Sequence, residues 1–251
     1  AFALRHLRLD LAFPQQETRM TTLAEFALTH RWPPRTQGAI QLYSFPTPNG
    51  QKVAIALEEL GLPYDAHPVN ILKNDQFDPG FLAISPNNKI PAIIDPDGPG
   101  GAPLALFESG AILIYLADKT GRLMPQGAGR YDLLQWLMFQ MGGIGPMFGQ
   151  LGFFHAFAGK EIEDPRPKER YRAEAARLLK VLDGALAGKD WVAGDYSIAD
   201  IAIAPWLRTL RDFYKAGDIT GWTDLAHVPA YLDRFLARPA VQRGLNVPPR
   251  D

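Results

Sequence analysis

A chain of 251 residues, 47% apolar and 21% charged, has the length and composition of a globular protein with one large domain or two small ones. Its formal net charge of -1 gives no electrostatic basis for binding nucleic acid or an anionic membrane, so neither partner is expected. The absence of cysteine excludes a disulfide framework, a cysteine-ligated metal, a Cys-x-x-Cys redox centre and a cysteine nucleophile. Any thiol chemistry must use a thiol brought by a ligand.

Residues 1–38 have mixed polarity and carry Pro14, Pro33, Pro34 and Gly38, the pattern of an extension before the first domain. Arg5, His6, Arg8 and Asp10 interrupt the apolar residues between Ala1 and Phe13, so the continuous centre of a signal peptide is missing. No apolar run approaches the roughly 20 residues that span a bilayer. A cytoplasmic location is the resulting expectation. Leu23, Phe26, Ala27 and His30 fall at helical spacing, which predicts a turn or two of helix in an arm that is either loosely ordered or wraps the body or a partner subunit.

From Ala39 the pattern is a strand (40–44), a turn and a helix (51–60) with Val53, Ala56, Leu57 and Leu60 on one face and Gly61 at its end. A second strand, about 64–70, follows after three residues, which makes a βαβ start with parallel strands. A short helix falls in 71–84. A strand opened by Pro91, a Pro/Gly-rich turn, the strand 104–107 and a helix to Lys119 complete a βαβ–ββα order. Residues 121–129 have the composition of a linker.

Beyond it the chain reads as helix. The glycines and proline of 142–146 predict a kink or break, and aromatic residues crowd a loop at 149–157. An amphipathic helix spans 167–187, Ser197 and Asp200 form a capping-box signature before the apolar run 201–210, Pro205 bends that run, and a last helix starts near Pro229. The expected fold class is α/β plus all-α: an N-terminal thioredoxin-like domain at 39–120 and a helical domain at 130–245.

Two stretches carry the chemistry. Ile90-Pro91 stands where a polar loop becomes the apolar run Ala92 to Ile94; with a cis bond there, the backbone of Ile90 faces outward and pairs with an extended ligand as an added strand. Glu108-Ser109 ends a short strand and opens a helix, so Ser109 is read as an N-cap with free N–H groups beyond it that attract a carboxylate, while Glu108 attracts an ammonium. An amino-acid head group suits this pair. Thr47 before Pro48 is an N-cap for the first helix, and a thiol placed there would be favoured as thiolate by the helix dipole.

The run Asn88-Lys89-Ile90-Pro91-Ala92-Ile93, a loop, and then Phe107-Glu108-Ser109-Gly110-Ala111-Ile112-Leu113 resembles the glutathione-binding half of the glutathione transferase family. The resemblance covers about residues 39–240 and includes the Ser-x-x-Asp box of the helical half, whose family role is in folding. It implies a cis proline at Pro91, pairing of Ile90 with the cysteinyl backbone of glutathione, and a γ-glutamyl group held by Glu108 and Ser109. The turn Thr47-Pro48-Asn49-Gly50 is similar to that of the bacterial Nu class, which implies that Thr47 and Asn49 stabilise the thiolate. Tyr43 resembles the thiol-activating tyrosine position of other classes. Asn74-Asp75-Gln76-Phe77 and Glu169-Arg170-Tyr171 also match the Nu class and imply ligand contacts for Gln76, Lys89 and Arg170. Phe153, Phe154 and His155 are candidates for a second-substrate pocket.

The implied activity is glutathione-dependent disulfide reduction by a homodimer that takes up two glutathiones, or one oxidised glutathione, per subunit, with no metal. Conjugation of glutathione to electrophiles or reduction of organic peroxides is the alternative within enzymes. A non-catalytic glutathione-binding regulatory module is the alternative outside them.

Overall fold

In the computed structural model, which describes residues 22–249, the sheet forms around β1 (Ile40–Ser44). Thr47, in extended conformation, accepts a hydrogen bond from the Gly50 N–H and starts α2 (Pro48–Leu60), and Gly61 at φ 67 ends it. The chain then enters β2 (Tyr64–Pro68), parallel to β1 with Leu42 beside Ala66. After α3 (Pro79–Ile84), β3 (Ala92–Asp95) and β4 (Leu104–Phe107) add antiparallel neighbours, giving the order β2-β1-β3-β4. The long α4 (Ser109–Thr120) closes a thioredoxin-like domain.

Every residue of β1 is buried, because both faces of the sheet are covered. Ile40, Leu42 and Ile93 join α2, α4 and the helical domain in the larger core. Tyr43, Ala92 and Ile94 face the opposite side, where Phe81 and Ile84 of α3 meet Phe26, Leu28 and Trp32 of the arm. The arm therefore wraps the body: a one-turn helix, α1 (Leu28–Arg31), lies on the sheet, and the Trp32 indole donates to the Pro68 carbonyl at 3.1 Å. Arg31 pairs with both Asp75 and Asp78. The part of the extension before residue 22 lies outside the described residues.

The helical domain comprises α5 (Ala128–Phe139), α6 (Gly145–Ala156), α7 (Pro165–Ala185), α8 (Ile198–Arg208), α9 (Gly217–Thr220), α10 (Val228–Leu236) and α11 (Pro239–Gly244). Asp200 accepts from the Ser197 N–H at 2.9 Å, its hydroxyl at 3.0 Å, the Val192 N–H and the Tyr231 hydroxyl, so the capping box is formed and buried. Helix α2 is sandwiched between the sheet and α8, α4 and α11, which is why its residues 50–57 are buried all round and not on one face only.

Two local expectations change. The glycine-rich 142–146 does not break the helix: Gln140–Ile144 forms a π-helical turn that absorbs the extra residue and lets α5 run into α6. The aromatic segment expected as a loop is therefore the last turns of α6. Pro205 sits inside α8, which continues past it and ends in a second π-helical turn, Thr209–Phe213. Among the described residues no helix is long and apolar enough to cross a membrane.

Candidate functional site

The turn between β1 and α2 carries Thr47 and Asn49, both half-buried. Gly50 follows them because a Cβ at that position would lie 2.0 Å from the Phe45 carbonyl oxygen, so only glycine lets the turn close. Thr47 Oγ1 accepts the Gly50 N–H at 3.3 Å, which leaves the hydroxyl hydrogen free to donate away from the helix. Asn49 Oδ1 accepts the indole N–H of Trp206 in α8 at 3.1 Å. An indole nitrogen can only donate, so this contact fixes the amide with its NH2 group directed elsewhere. Two side-chain donors thus stand at the positive end of α2, where negative charge is favoured.

Tyr43 is excluded from this role. It is fully buried on the arm side of the sheet, edge-on to Trp32 at 6.2 Å and stacked on His67 at 4.9 Å. Burial and the nearby Asp65 raise its hydroxyl far above the usual tyrosine range.

At the other end of the site the Ile90–Pro91 peptide bond is cis. Among the described residues neither the N–H nor the C=O of Ile90 has a hydrogen-bond partner, which leaves an edge for an extended ligand. Lys89 is exposed, and its carbonyl accepts the Ser85 hydroxyl at 2.8 Å. Gln76 is half-buried in the 75–77 turn, and its Oε1 is buried with no partner. A buried acceptor left without a partner is costly.

Glu108, not Ser109, occupies the cap position of α4. Its φ of 68 with ψ of 112 lies where a non-glycine residue is strained, and this corner turns the carboxylate outward while Ser109 begins the helix. Ser109 is buried, with its hydroxyl turned inward to the ammonium of Lys52 at 3.4 Å. Lys52 in turn donates to Oε1 of Gln140, in the first π-helical turn, at 2.6 Å. Asn49 and Ser109 are thereby both tied to the helical domain.

The remaining candidates are less closely joined. Arg170 is exposed on α7; the Glu174 carboxyl beside it is lowered chiefly by its hydrogen bond from Arg177 and only last by the field of Arg170, and no hydrogen bond or ion pair among the described residues connects Arg170 to the other site residues. Phe154 stacks on Tyr171 at 5.4 Å, and with His155, Leu151, Lys168, Arg172 and Ile219 it lines a cavity of about 190 Å³. Phe153 projects from a different flank of α6, half-exposed and edge-on to Phe154, because successive residues of a helix point in different directions. The described residues hold no cluster of three or more His, Asp or Glu side chains suited to a metal ion.

Sequence reasoning passed over Lys52, Gln140 and Trp206. Lys52 was visible as a lone lysine among Val53, Ala54, Ile55, Ala56 and Leu57, a run apolar on every side that a solvated lysine does not suit. Trp206 read as one more member of a buried helix, and nothing local marks its partner.

Residues 47–119 match the model of the glutathione S-transferase N-terminal domain, and 146–239 that of the C-terminal domain. The disulfide-bond oxidoreductase YfcG of Escherichia coli is 46% identical over 216 residues, 82% of this chain and 94% of that one. A glutathione transferase of Pseudomonas putida, solved with one glutathione disulfide bound per subunit, superposes with a TM-score of 0.90 at 59% identity, covering 91% of this chain and all of that one. One of Burkholderia graminis, solved with two glutathione molecules per subunit, has a TM-score of 0.90 at 61% identity, covering 94% and 99%. With two domains matched in order and this degree of identity along almost the whole of YfcG, the chain belongs to the glutathione transferase family.

Proposed function

We propose that this protein is a Nu-like glutathione-dependent disulfide-bond reductase in which bound glutathione supplies every thiol. The observation that carries the reading is the pair of donors at the head of α2, the Thr47 hydroxyl and the Asn49 amide, in a chain without cysteine. They stabilise the thiolate of a glutathione whose γ-glutamyl group lies at Glu108 and Ser109, whose cysteinyl backbone pairs with Ile90 beside Pro91, and which Gln76 and Lys89 contact. Arg170 serves the carboxylate end of a ligand.

The thiolate attacks one sulfur of a small disulfide, forming a mixed disulfide and releasing the other sulfur as a thiolate that takes a proton. A second glutathione thiolate then attacks the glutathione sulfur of that mixed disulfide, yielding oxidised glutathione and a second substrate thiol. The bound glutathione disulfide and paired glutathiones of the Pseudomonas putida and Burkholderia graminis proteins, and the name of YfcG, support this order of events. The protein acts in the cytoplasm as a homodimer, for which the exposed Phe107, Tyr131 and Met138 on β4 and α5 offer apolar contact.

Steady-state turnover of a small disulfide with glutathione, run beside conjugation of a chlorinated aromatic and reduction of an organic peroxide, tests the reading. Disulfide turnover should dominate. Dominant conjugation or peroxide reduction would replace the reading with a detoxifying transferase, and glutathione binding with no turnover would replace it with a regulatory module.

A further inference from the structure

Lys52 is the buried titratable group that the reaction above leaves unused. Its side chain is fully buried one turn past Asn49. The ammonium donates to Gln140 Oε1 at 2.6 Å, reaches Ser109 Oγ at 3.4 Å and lies 3.8 Å from Met141 Sδ. All three partners are neutral. Among the described residues Lys52 forms no ion pair, and an ammonium taken out of water without a counter-ion is among the most costly groups a fold can bury. Burial accordingly pulls its amine down to about 7, against the opposing field of Glu108.

The surroundings leave one direction open for a counter-charge. From α4 the facing charged group is Glu108, which points outward from its strained corner. The π-helical turn contributes the neutral Gln140 and Met141, and α8 the neutral Trp206 through Asn49. At the far end of α2, Arg238 and Arg243 are consumed by Glu59 and Glu58. Ser109 stands between the ammonium and the N-terminus of α4, so an anion received at Ser109 is separated from Lys52 by one hydroxyl.

We propose that Lys52 is the internal counter-charge for the α-carboxylate of the γ-glutamyl group, acting through Ser109, and that binding this carboxylate draws a proton from solvent onto Lys52. The inference rests on the reading of Glu108 and Ser109 as the γ-glutamyl subsite. Lys52 is a positioning residue: it meets the ligand only through the serine hydroxyl, which it orients, and it fixes Gln140 against the same corner. A carboxylate at Ser109 favours the charged amine, so a lysine only partly protonated near pH 7.5 becomes fully protonated in the complex.

Isothermal titration of the full chain with S-methylglutathione, whose blocked thiol releases no proton, tests this in buffers of different ionisation enthalpy. At pH 7.5 the expected result is uptake of more than about half a proton per ligand bound, falling towards zero at pH 6 where the amine is already charged. In Lys52→Met the uptake should vanish and the affinity drop at least about tenfold. Binding to the unaltered chain without proton uptake at pH 7.5 overturns the role of Lys52 while leaving the subsite standing, and this measurement needs no variant to fold. If the unaltered chain binds neither S-methylglutathione nor glutathione, the subsite reading falls and the inference with it.

Discussion

The indole N–H of Trp206 and the side-chain oxygen of Asn49 meet at 3.1 Å across 157 residues of sequence, so the helical domain decides which way an amide in the thioredoxin-like domain points. Trp206→Phe keeps most of the ring packing and deletes the donor. The Asn49 amide is then free to rotate and to present its oxygen to a thiolate, which repels it. Disulfide turnover should fall about tenfold, equivalent to about 1.4 kcal/mol of transition-state stabilisation, while the dissociation constant for glutathione stays within about twofold. Parallel kinetics and calorimetry check the split, and an equal loss in both would mean that Trp206 only supports the fold.

Thr47 has two separable jobs. Its oxygen caps α2 and its hydroxyl hydrogen is available to the thiolate. Thr47→Ala should lose about 1 kcal/mol of stability from the cap and at least about tenfold in turnover. Thr47→Ser keeps both functions and should stay close to the unaltered rate. If the alanine variant turns over normally, the assignment of Thr47 to the thiol is wrong.

The arm should matter to stability as much as a core strand does. Leu28 is fully buried between the sheet and α3, and its truncation to alanine should cost about 2 to 5 kcal/mol. For a chain of this size that lowers the melting temperature by very roughly 4 to 20 °C. Removing residues 1–37 should lower it further, since Phe26 and Trp32 leave with Leu28. Calorimetric or fluorescence melts of both variants check this, and a truncated chain that melts like the full one would refute it.

Acid sensitivity should originate under the same arm. Burial, aided by Arg35, lowers the imidazole of His67 to about 4, and as the neutral form it donates Nε2–H to Gln41 Oε1 at 2.8 Å. Burial alone would raise the Asp65 carboxyl, but donors from Thr36, Arg35 and Gln41 outweigh it and hold Asp65 at about 2. The unfolded chain therefore binds more protons than the folded one from about pH 6.5 down to 4 through His67, and from about 4 down to 2 through Asp65. The stability contributed by these two groups is fully present above about 6.5 and declines in those two windows as pH falls. His67→Phe, which keeps the stack on Tyr43, should flatten the upper limb of a plot of melting temperature against pH and leave the lower one.

Most of the fold is legible in the sequence, because its signals are local. Thr47-Pro48 starts α2, Gly61 stops it, and Ser197 with Asp200 forms the box before α8. Those features depend on residues within a turn of one another, where spacing carries the physics. The two π-helical turns were not legible, since glycines and proline signal a breaker equally well whether the helix stops or takes up an extra residue. Ser109 was misplaced by one position because a serine before an apolar helix reads as a cap, whereas here the strained Glu108 takes that place. The arm carried too short a periodicity to reveal that Leu28 and Trp32 fill a face of the sheet. The contacts of Lys52 with Gln140 and of Trp206 with Asn49 join residues 88 and 157 positions apart, and no pattern within one helix foretells them.

The dependence of Asn49 on Trp206 also bears on how such proteins are recombined. A hybrid joining this thioredoxin-like half to the helical half of a distant relative would bring along its own open edge at Ile90, yet the direction of its Asn49 amide would be set by whatever side chain the foreign α8 happened to offer. Recombination at the linker therefore resets Asn49 through α8 and Ser109 through the Lys52–Gln140 contact together, so α8 and the first π-helical turn are where an engineer exchanging halves should graft first.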